Sequence, residues 1–475
     1  MAALAAALLA CLLVSCNGAV STSGDGAAPT LRVANLAYGA PYNFDVLEGS
    51  TSAATDLAYG QASTFRTINA GTLAVAFDPT GTTTAAMTAN VAATTGNSYS
   101  VLALENSSAL TYLTVAQPVT TIASGQTQVS FVNATTTLGA LDIYVSAPTA
   151  ALPSSPSVVD LAYAGAGASV TPTPVVLTGG DFRIRAVANG DATRTVIFDS
   201  GTVTFDAGAT PLLVITPATG SASSIAIVSL AADSTVTSIG DQRVQVRVGN
   251  FAPGGATLDA YFDQNGAANT AVFQAGIALG TAGAYQTFAP GAYHASFTDT
   301  GSTTELLGSD LSLAPGTSVS VFAVGIGSTA PYDYELLAVS DDLSAPATGM
   351  AKLRILQLAP DVTGGITSCG VNCVDLVTLT TVAGVVTIGQ RLLVNQPYAA
   401  TSPLYVTLAP GTYTLAAVAS GAATPLLPSS TGLTVTLTAN TVNTLVLAGC
   451  QTPGSGICSG GTTTPVALQL IPLGD

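Results

Sequence analysis

Leu408-Ala409-Pro410-Gly411-Thr412-Tyr413-Thr414-Leu415-Ala416-Ala417 is an apolar strand end, a tight Pro-Gly turn and an alternating strand. Apolar alternation on either side of a glycine turn is the signature of a β-hairpin. The chain writes the phrase four times. The other copies are Ile68-Asn69-Ala70-Gly71-Thr72-Leu73, Leu177-Thr178-Gly179-Gly180-Asp181-Phe182 and Phe288-Ala289-Pro290-Gly291-Ala292-Tyr293. Glycine holds one position throughout, which suits a turn needing positive φ. Two residues later stands Leu73, Phe182, Tyr293 or Tyr413. A large side chain at the start of an alternating strand is expected to face a core.

Other landmarks recur around this phrase in fixed order. Upstream lies an opening strand: Leu31-Arg32-Val33-Ala34-Asn35, Val129-Ser130-Phe131-Val132-Asn133, Val246-Arg247-Val248-Gly249-Asn250 and Leu353-Arg354-Ile355-Leu356-Gln357. An apolar-Asp-apolar step follows at Asp45, Asp142, Asp259 and Asp375. Downstream come a second turn and strand, then a short closing strand. The period is about a hundred residues, domain-sized rather than a solenoid turn. Helical periodicity is nowhere sustained. The expectation is an all-β chain of four tandem immunoglobulin-like β-sandwich domains, about seven strands each. They span 30–117, 127–233, 241–342 and 350–475. Ser/Thr/Gly/Pro-rich linkers fall near Gln117 to Thr127, Asp233 to Asp241 and Leu343 to Met350.

Asp56-Leu57-Ala58-Tyr59-Gly60 and Asp160-Leu161-Ala162-Tyr163-Ala164, with the Pro-Gly-Thr-Tyr turn and the opening strand, resemble the bacterial domain of unknown function 4397 family. The resemblance runs over nearly all of residues 30 to 475 in four copies. The third and fourth copies have Phe273-Gln274-Ala275-Gly276 and Leu392-Leu393-Val394-Asn395 in that region instead. The resemblance implies cell-envelope proteins with tandem β-domains, and it implies no catalytic residues.

Residues 1–15 are almost wholly Ala, Leu, Val and Cys, too short to span a bilayer but the length of a secretory apolar core. Leu13-Val14-Ser15-Cys16 resembles a bacterial lipobox, which makes 1–15 a signal peptide and Cys16 the lipidated residue. No Lys or Arg precedes the apolar run, a departure from that pattern. By resemblance to proteobacterial lipoproteins, Asn17 permits export to the outer membrane. Residues 16–29 then form a flexible tether.

Composition narrows the functions. The net charge is −16, with ten Lys plus Arg. Such a chain is repelled by phosphate backbones, so nucleic-acid binding is not expected. His294 is the single histidine. It follows the inward Tyr293, so alternation points it outward, and no nucleophile elbow accompanies it. The recurring Asp residues suit side chains bonding loop N–H groups; the competing reading is a Ca²⁺ ligand, for which no Asp-x-Asp-x-Asp-Gly run exists. Gly165-Ala166-Gly167-Ala168 lacks the Lys and following helix of a phosphate loop. Tyr38, Tyr42, Phe44 and Tyr59 cluster in the first module, either as core or as a sugar-stacking surface.

Cys369, Cys373, Cys450 and Cys458 lie in two loops of the fourth module. In an exported chain they suggest two disulfides, with three connectivities open. If strands alternate up and down, the first and last loops lie at opposite ends, favouring Cys369–Cys373 and Cys450–Cys458. No catalytic residue, metal or cofactor is expected. The reading is a non-catalytic envelope lipoprotein presenting tandem modules for structural or adhesive contact with a protein or glycan, with the outer membrane as its place. The alternative is a glycan-binding lipoprotein capturing polysaccharide.

Overall fold

The computed structural model describes residues 26–474 except 39, 41, 107–108, 137, 219–221, 254–255, 265–268, 271, 327–332, 348, 364–371, 383–384, 427–431, 455–457 and 459–465. The signal peptide, Cys16, most of the tether and Cys369 therefore lie outside the described residues. Within them the chain is all-β, without an α-helix, and its strands form eight sheets, two for each repeat.

The first module shows the plan. Its back sheet places the opening strand Thr30–Asn35 beside Asn97–Asn106, with Ala109–Pro118 beyond. Two short pieces, Gln61–Ala62 and Arg66–Thr67, pair with the opening strand's other edge. Its front sheet runs Thr51–Leu57, Phe44–Glu48, Gly71–Pro79, Met87–Ala93. The same order returns in the other three modules. Counting the broken edge as one strand gives eight per module, one more than the sequence suggests, because that edge is too short to stand out. Module two adds a ninth, Val236–Ile239, on its back sheet. This strand occupies the stretch read as a linker between Asp233 and Asp241.

One feature departs from an immunoglobulin arrangement and another from the hairpin expected of the sequence. First, the opening strand lies inside the back sheet and runs parallel to the seventh strand. The registers are Val33↔Val101, Phe131↔Leu213, Val248↔Val321 and Ile355↔Leu445. Second, the Pro-Gly phrase is not a hairpin. Tyr405–Leu408 pairs with the opening strand of the back sheet, whereas Gly411–Ala419 pairs within the front sheet. The turn is an arch between sheets, and it is so in every module. Local alternation is identical on both sides of an arch and of a hairpin, so the phrase alone does not separate them. The glycine after each arch has φ from +130° at Gly71 to +156° at Gly411, a backbone other residues seldom adopt.

Each sandwich has its own interior. In module one Leu31, Val33, Phe44, Val46, Val75, Phe77, Val91 and Val101 fill it. Leu73, Phe182, Tyr293 and Tyr413 all pack against their module's core, as alternation requires. The opening and seventh strands, however, are buried on both faces. A second apolar layer joins Ala34, Leu102, Leu104 and Val115 of module one to Val132, Leu212, Val214 and Val228 of module two. An equivalent layer joins Phe251, Phe322 and Val339 of module three to Leu356, Leu358 and Val446 of module four. The modules are thus sealed back to back as two pairs rather than strung as four independent beads. A side chain buried this fully contributes about 1.5–3 kcal/mol, so these layers are structural cores in their own right.

Candidate functional sites at the arches, the module interfaces and an arginine cleft

The recurring Asp sits at a β-bulge in all four modules, where the register slips against the neighbouring strand. Its carboxylate accepts backbone N–H bonds from the residues around it. Asp45 takes Asp56 N (2.9 Å) and Gly81 N (3.1 Å). Asp259 takes Gly276 N (2.7 Å) and Gly301 N (2.8 Å). Asp375 takes Asn395 N (2.8 Å), Gly421 N (3.1 Å) and the Ser420 hydroxyl (2.8 Å). Asp142 takes Asp160 N (3.0 Å) and the Asn189 amide (3.1 Å). Both carboxylate oxygens of Asp45, Asp259 and Asp375 are engaged by the chain in this way, whereas both bonds to Asp142 fall on its Oδ1. The Asp56 and Gly81 N–H bonds hold the Asp45 carboxyl below the usual carboxylate range.

The four residues facing these carboxylates, Asp56, Asp160, Gly276 and Asn395, all have positive φ. They give the register of the Asp-Leu-Ala-Tyr phrase in the later copies. Gly276-Ile277-Ala278-Leu279 and Asn395-Gln396-Pro397-Tyr398 are its equivalents, starting at the last residue of the stretches compared in the sequence.

His294 points outward, between Asp310 (2.7 Å from Nδ1) and Glu305 (2.9 Å from Nε2). These hydrogen bonds raise its pKa above the ordinary histidine value. Phe44 is fully buried and Tyr42 packs against it, whereas Tyr38 and Tyr59 are exposed. The exposed pair meets edge to face at 77°, not as a coplanar platform for a sugar ring. Cys450 and Cys458 are bonded to each other, and Cys373 is disulfide-bonded, with its expected partner Cys369 outside the described residues. The premise about loop ends does not hold. Because opening and seventh strands are parallel, the loops that follow them share one end. Asp361 in the first loop accepts N–H bonds from Gln451 (2.7 Å) and Thr452 (2.8 Å) in the last.

Three of the four opening strands carry an arginine whose role the sequence did not announce. Arg32, Arg247 and Arg354 are almost wholly buried on the outer face of the back sheet. Each donates from Nε to a hydroxyl on the parallel strand: Ser100 (2.8 Å), Ser320 (2.7 Å) and Thr444 (2.8 Å). Each also lies over an aromatic ring, Phe65, Tyr285 or Tyr405, at 4.6 to 5.0 Å. Each then crosses to the paired module. Arg32 reaches the carbonyls of Leu230 and Ala231; burial pulls its pKa down to about 10, with Asp233 opposing. Arg247 reaches the Gly474 carbonyl (2.9 Å). Arg354 reaches Asp341, which also accepts from Ser320 (2.7 Å) and Tyr285 (2.8 Å). Module two has Ser130 opposite Leu212 at these places, so the arginine and its hydroxyl partner are lost together. The visible signals were this recurring Arg and the unbroken apolar runs such as Leu212-Leu213-Val214-Ile215, which mark strands buried on both faces.

A second feature was not foreseen. Arg183, Arg185, Arg194 and Arg243 account for four of the chain's ten basic residues. Arg183 and Arg185 project from the outer face of module two's front sheet, and Arg183 pairs with Asp199 through Nε (2.8 Å). Arg243 enters module three, pairs with Asp241 and donates to the Ile197 carbonyl (2.6 Å), docking that module's start on the sheet. The Gln242 N–H bonds the Asp199 carbonyl (2.7 Å) in support. Between them lies a cleft of about 510 Å³, walled on the far side by Thr287, Phe288 and Pro290.

Residues 29–144 and 244–364 match the sequence model described as Domain of unknown function (DUF4397). Each match begins at the first module of a back-to-back pair. No curated protein matches the chain. Among solved structures, the TIE protein of Bacillus anthracis is similar at 9% identity and a TM-score of 0.15, covering 87% of this chain and 66% of its own. This chain therefore spans just under two thirds of that protein. Family 41 carbohydrate-binding modules from streptococcal virulence factors, described for α-glucan recognition, align at 11% identity and a TM-score of 0.15, over 39% of this chain and 93% of theirs.

Proposed function

We propose that the chain is a non-catalytic bacterial envelope lipoprotein, held by acyl chains on Cys16, whose four modules display surface for structural or adhesive contact. The observation that supports this reading best is the sealing of the modules into two pairs by buried apolar layers and cross-module arginines. Such pairing makes stiff units and spends the most apolar strands on cohesion, leaving loops, arches and front sheets outward. More than one acyl chain would make the anchoring stable. The acidic surface suits partners other than nucleic acid.

Two experiments test it. Metabolic palmitate labelling of the wild-type protein should mark the membrane fraction, and Cys16→Ser should abolish both label and membrane retention. Cells deleted for the gene should lose surface attachment or envelope integrity; unchanged behaviour in both assays contradicts the display role. The glycan-capture alternative gains nothing from the Tyr38–Tyr59 pair, whose rings stand edge to face.

A further inference from the structure

We propose that the edge of module three's back sheet binds an extended, uncharged segment of a partner protein by strand addition. The edge strand is Glu335–Asp341. Its pairing with Ser318–Val324 sets Ala338 opposite Val321, as Thr114 lies opposite Val101 in module one. Val101 and Val321 each pair with the centre of their opening strand, so Thr114 and Ala338 are equivalent. In module one that position is covered by module two. Thr114 N bonds the Ala168 carbonyl (2.9 Å), Gly167 N bonds the Tyr112 carbonyl (2.7 Å), and Ser169–Val170 forms the added strand.

In module three the cover stops short. Ser340 N bonds the Thr401 carbonyl of module four (2.9 Å), and no other backbone group of module four bonds this strand among the described residues. Chain length is the cause. Tyr163 and Tyr398 make the same isolated bridge to their opening strands. Seven positions then separate Tyr163 from Val170, but three separate Tyr398 from Thr401, so module four's crossing is four residues shorter. Backbone groups of alternate residues point to one side of a strand. Leu336 and Ala338 therefore turn their N–H and C=O groups outward like Ser340, with no hydrogen-bond partner among the described residues. Both residues are only half-buried. Such a row of open donors and acceptors is a template for another chain's strand.

The geometry defines the occupant. It runs parallel to Glu335–Asp341, as Ser169–Val170 runs parallel to Thr114–Val115, and it ends against Thr401. Exposed Glu335 at the entry, in a chain of net charge −16, disfavours an acidic segment. The same edge of a second copy does not fit. Antiparallel pairing about Leu337 would set that copy's Tyr334 against Ser340, whose N–H Thr401 already holds. The inference gives the display reading a partner, yet it concerns the folded modules alone and does not depend on the acyl anchor.

The probe is a free, end-capped peptide with the sequence of residues 165–170, added to the purified chain. Fluorescence anisotropy should show saturable binding. Hydrogen exchange should slow at 335–340 and stay unchanged at 109–118. Ala338→Pro deletes the outward N–H without touching the ladder to Ser318–Val324, and should weaken binding roughly tenfold or more. Inserting a copy of residues 166–169 between Ala400 and Thr401 restores the missing length and should abolish binding by filling the edge in cis. A peptide carrying Ser169→Asp should bind more weakly. No binding, protection away from 335–340, equal affinity in Ala338→Pro or in the insertion variant, or equal affinity of the Asp peptide overturns the proposal. So does dimerisation of the peptide-free chain in light scattering that Ala338→Pro removes, because the edge would then belong to a second copy. If Ala338→Pro does not fold, the insertion variant decides.

Discussion

The two back-to-back pairs solve one problem with different chemistry. Modules three and four clasp reciprocally: Arg247 reaches into module four and Arg354 into module three. Gly249 leaves room for the edge-to-face Phe251 and Phe322. Modules one and two clasp from one side only among the described residues, through Arg32. There module two supplies no arginine, and a backbone graft stands beside the apolar layer instead. Ser169–Val170 of module two adds a parallel strand to the edge of module one at Thr114–Val115. Gly167 N and Tyr112 O make the flanking bond at 2.7 Å. One pair relies on a buried ion network, the other on strand addition, and the difference shows that the apolar layer is the common requirement.

Removing the acid from the ionic clasp should have the largest effect. Asp341→Ala leaves Arg354 buried without its counter-ion, and breaking such a pair costs about 3–5 kcal/mol. Chemical denaturation should show that loss, and the double change Arg354→Met with Asp341→Leu should recover most of it. On the other side, Arg32→Met strands no carboxylate and should cost only about 1–2 kcal/mol. The contrast between the two pairs disappears if both changes cost the same.

Gly167→Val tests the strand graft. Gly167 has φ +70° and packs near the Tyr112 ring. A β-branched residue there should cost about 1–2 kcal/mol. Hydrogen exchange should quicken along 109–118 while 318–324 stays protected. Protection unchanged along 109–118 would remove the graft from the account.

His294 lies outside both clasps and should give the smallest effect. Its folded pKa is raised by Asp310 and Glu305. Its contribution is therefore full below the unfolded value near 6.5 and is lost as pH rises through the folded one. For a surface ion pair whose carboxylates are exposed it is at most about 1 kcal/mol. His294→Gln should flatten the fall in Tm across that window; an unchanged slope would show that the two carboxylates do nothing measurable.

The contrast between pairs also explains what the sequence let one read. Repetition, the all-strand character and the inward Leu73, Phe182, Tyr293 and Tyr413 follow from period-two patterning and spacing, which are local. Pairing is not local. Leu102 and Leu104 alternate with residues facing the sandwich interior, so the strand reads only as apolar until a second module covers its other face. The arch at Gly411 looks like a hairpin because partner choice lies in strands far along the chain. Of the arginine cleft, Arg183 and Arg185 were visible as alternating residues, but Arg243 reaches them only through the docking of module three.

Back-to-back pairing is tested most directly by native-state hydrogen exchange on Asp341→Ala. Protection should fall together at 318–324 in module three and 442–448 in module four, while 97–106 and 212–217 hold. Loss confined to module three would mean that the modules unfold one by one, contradicting the paired architecture.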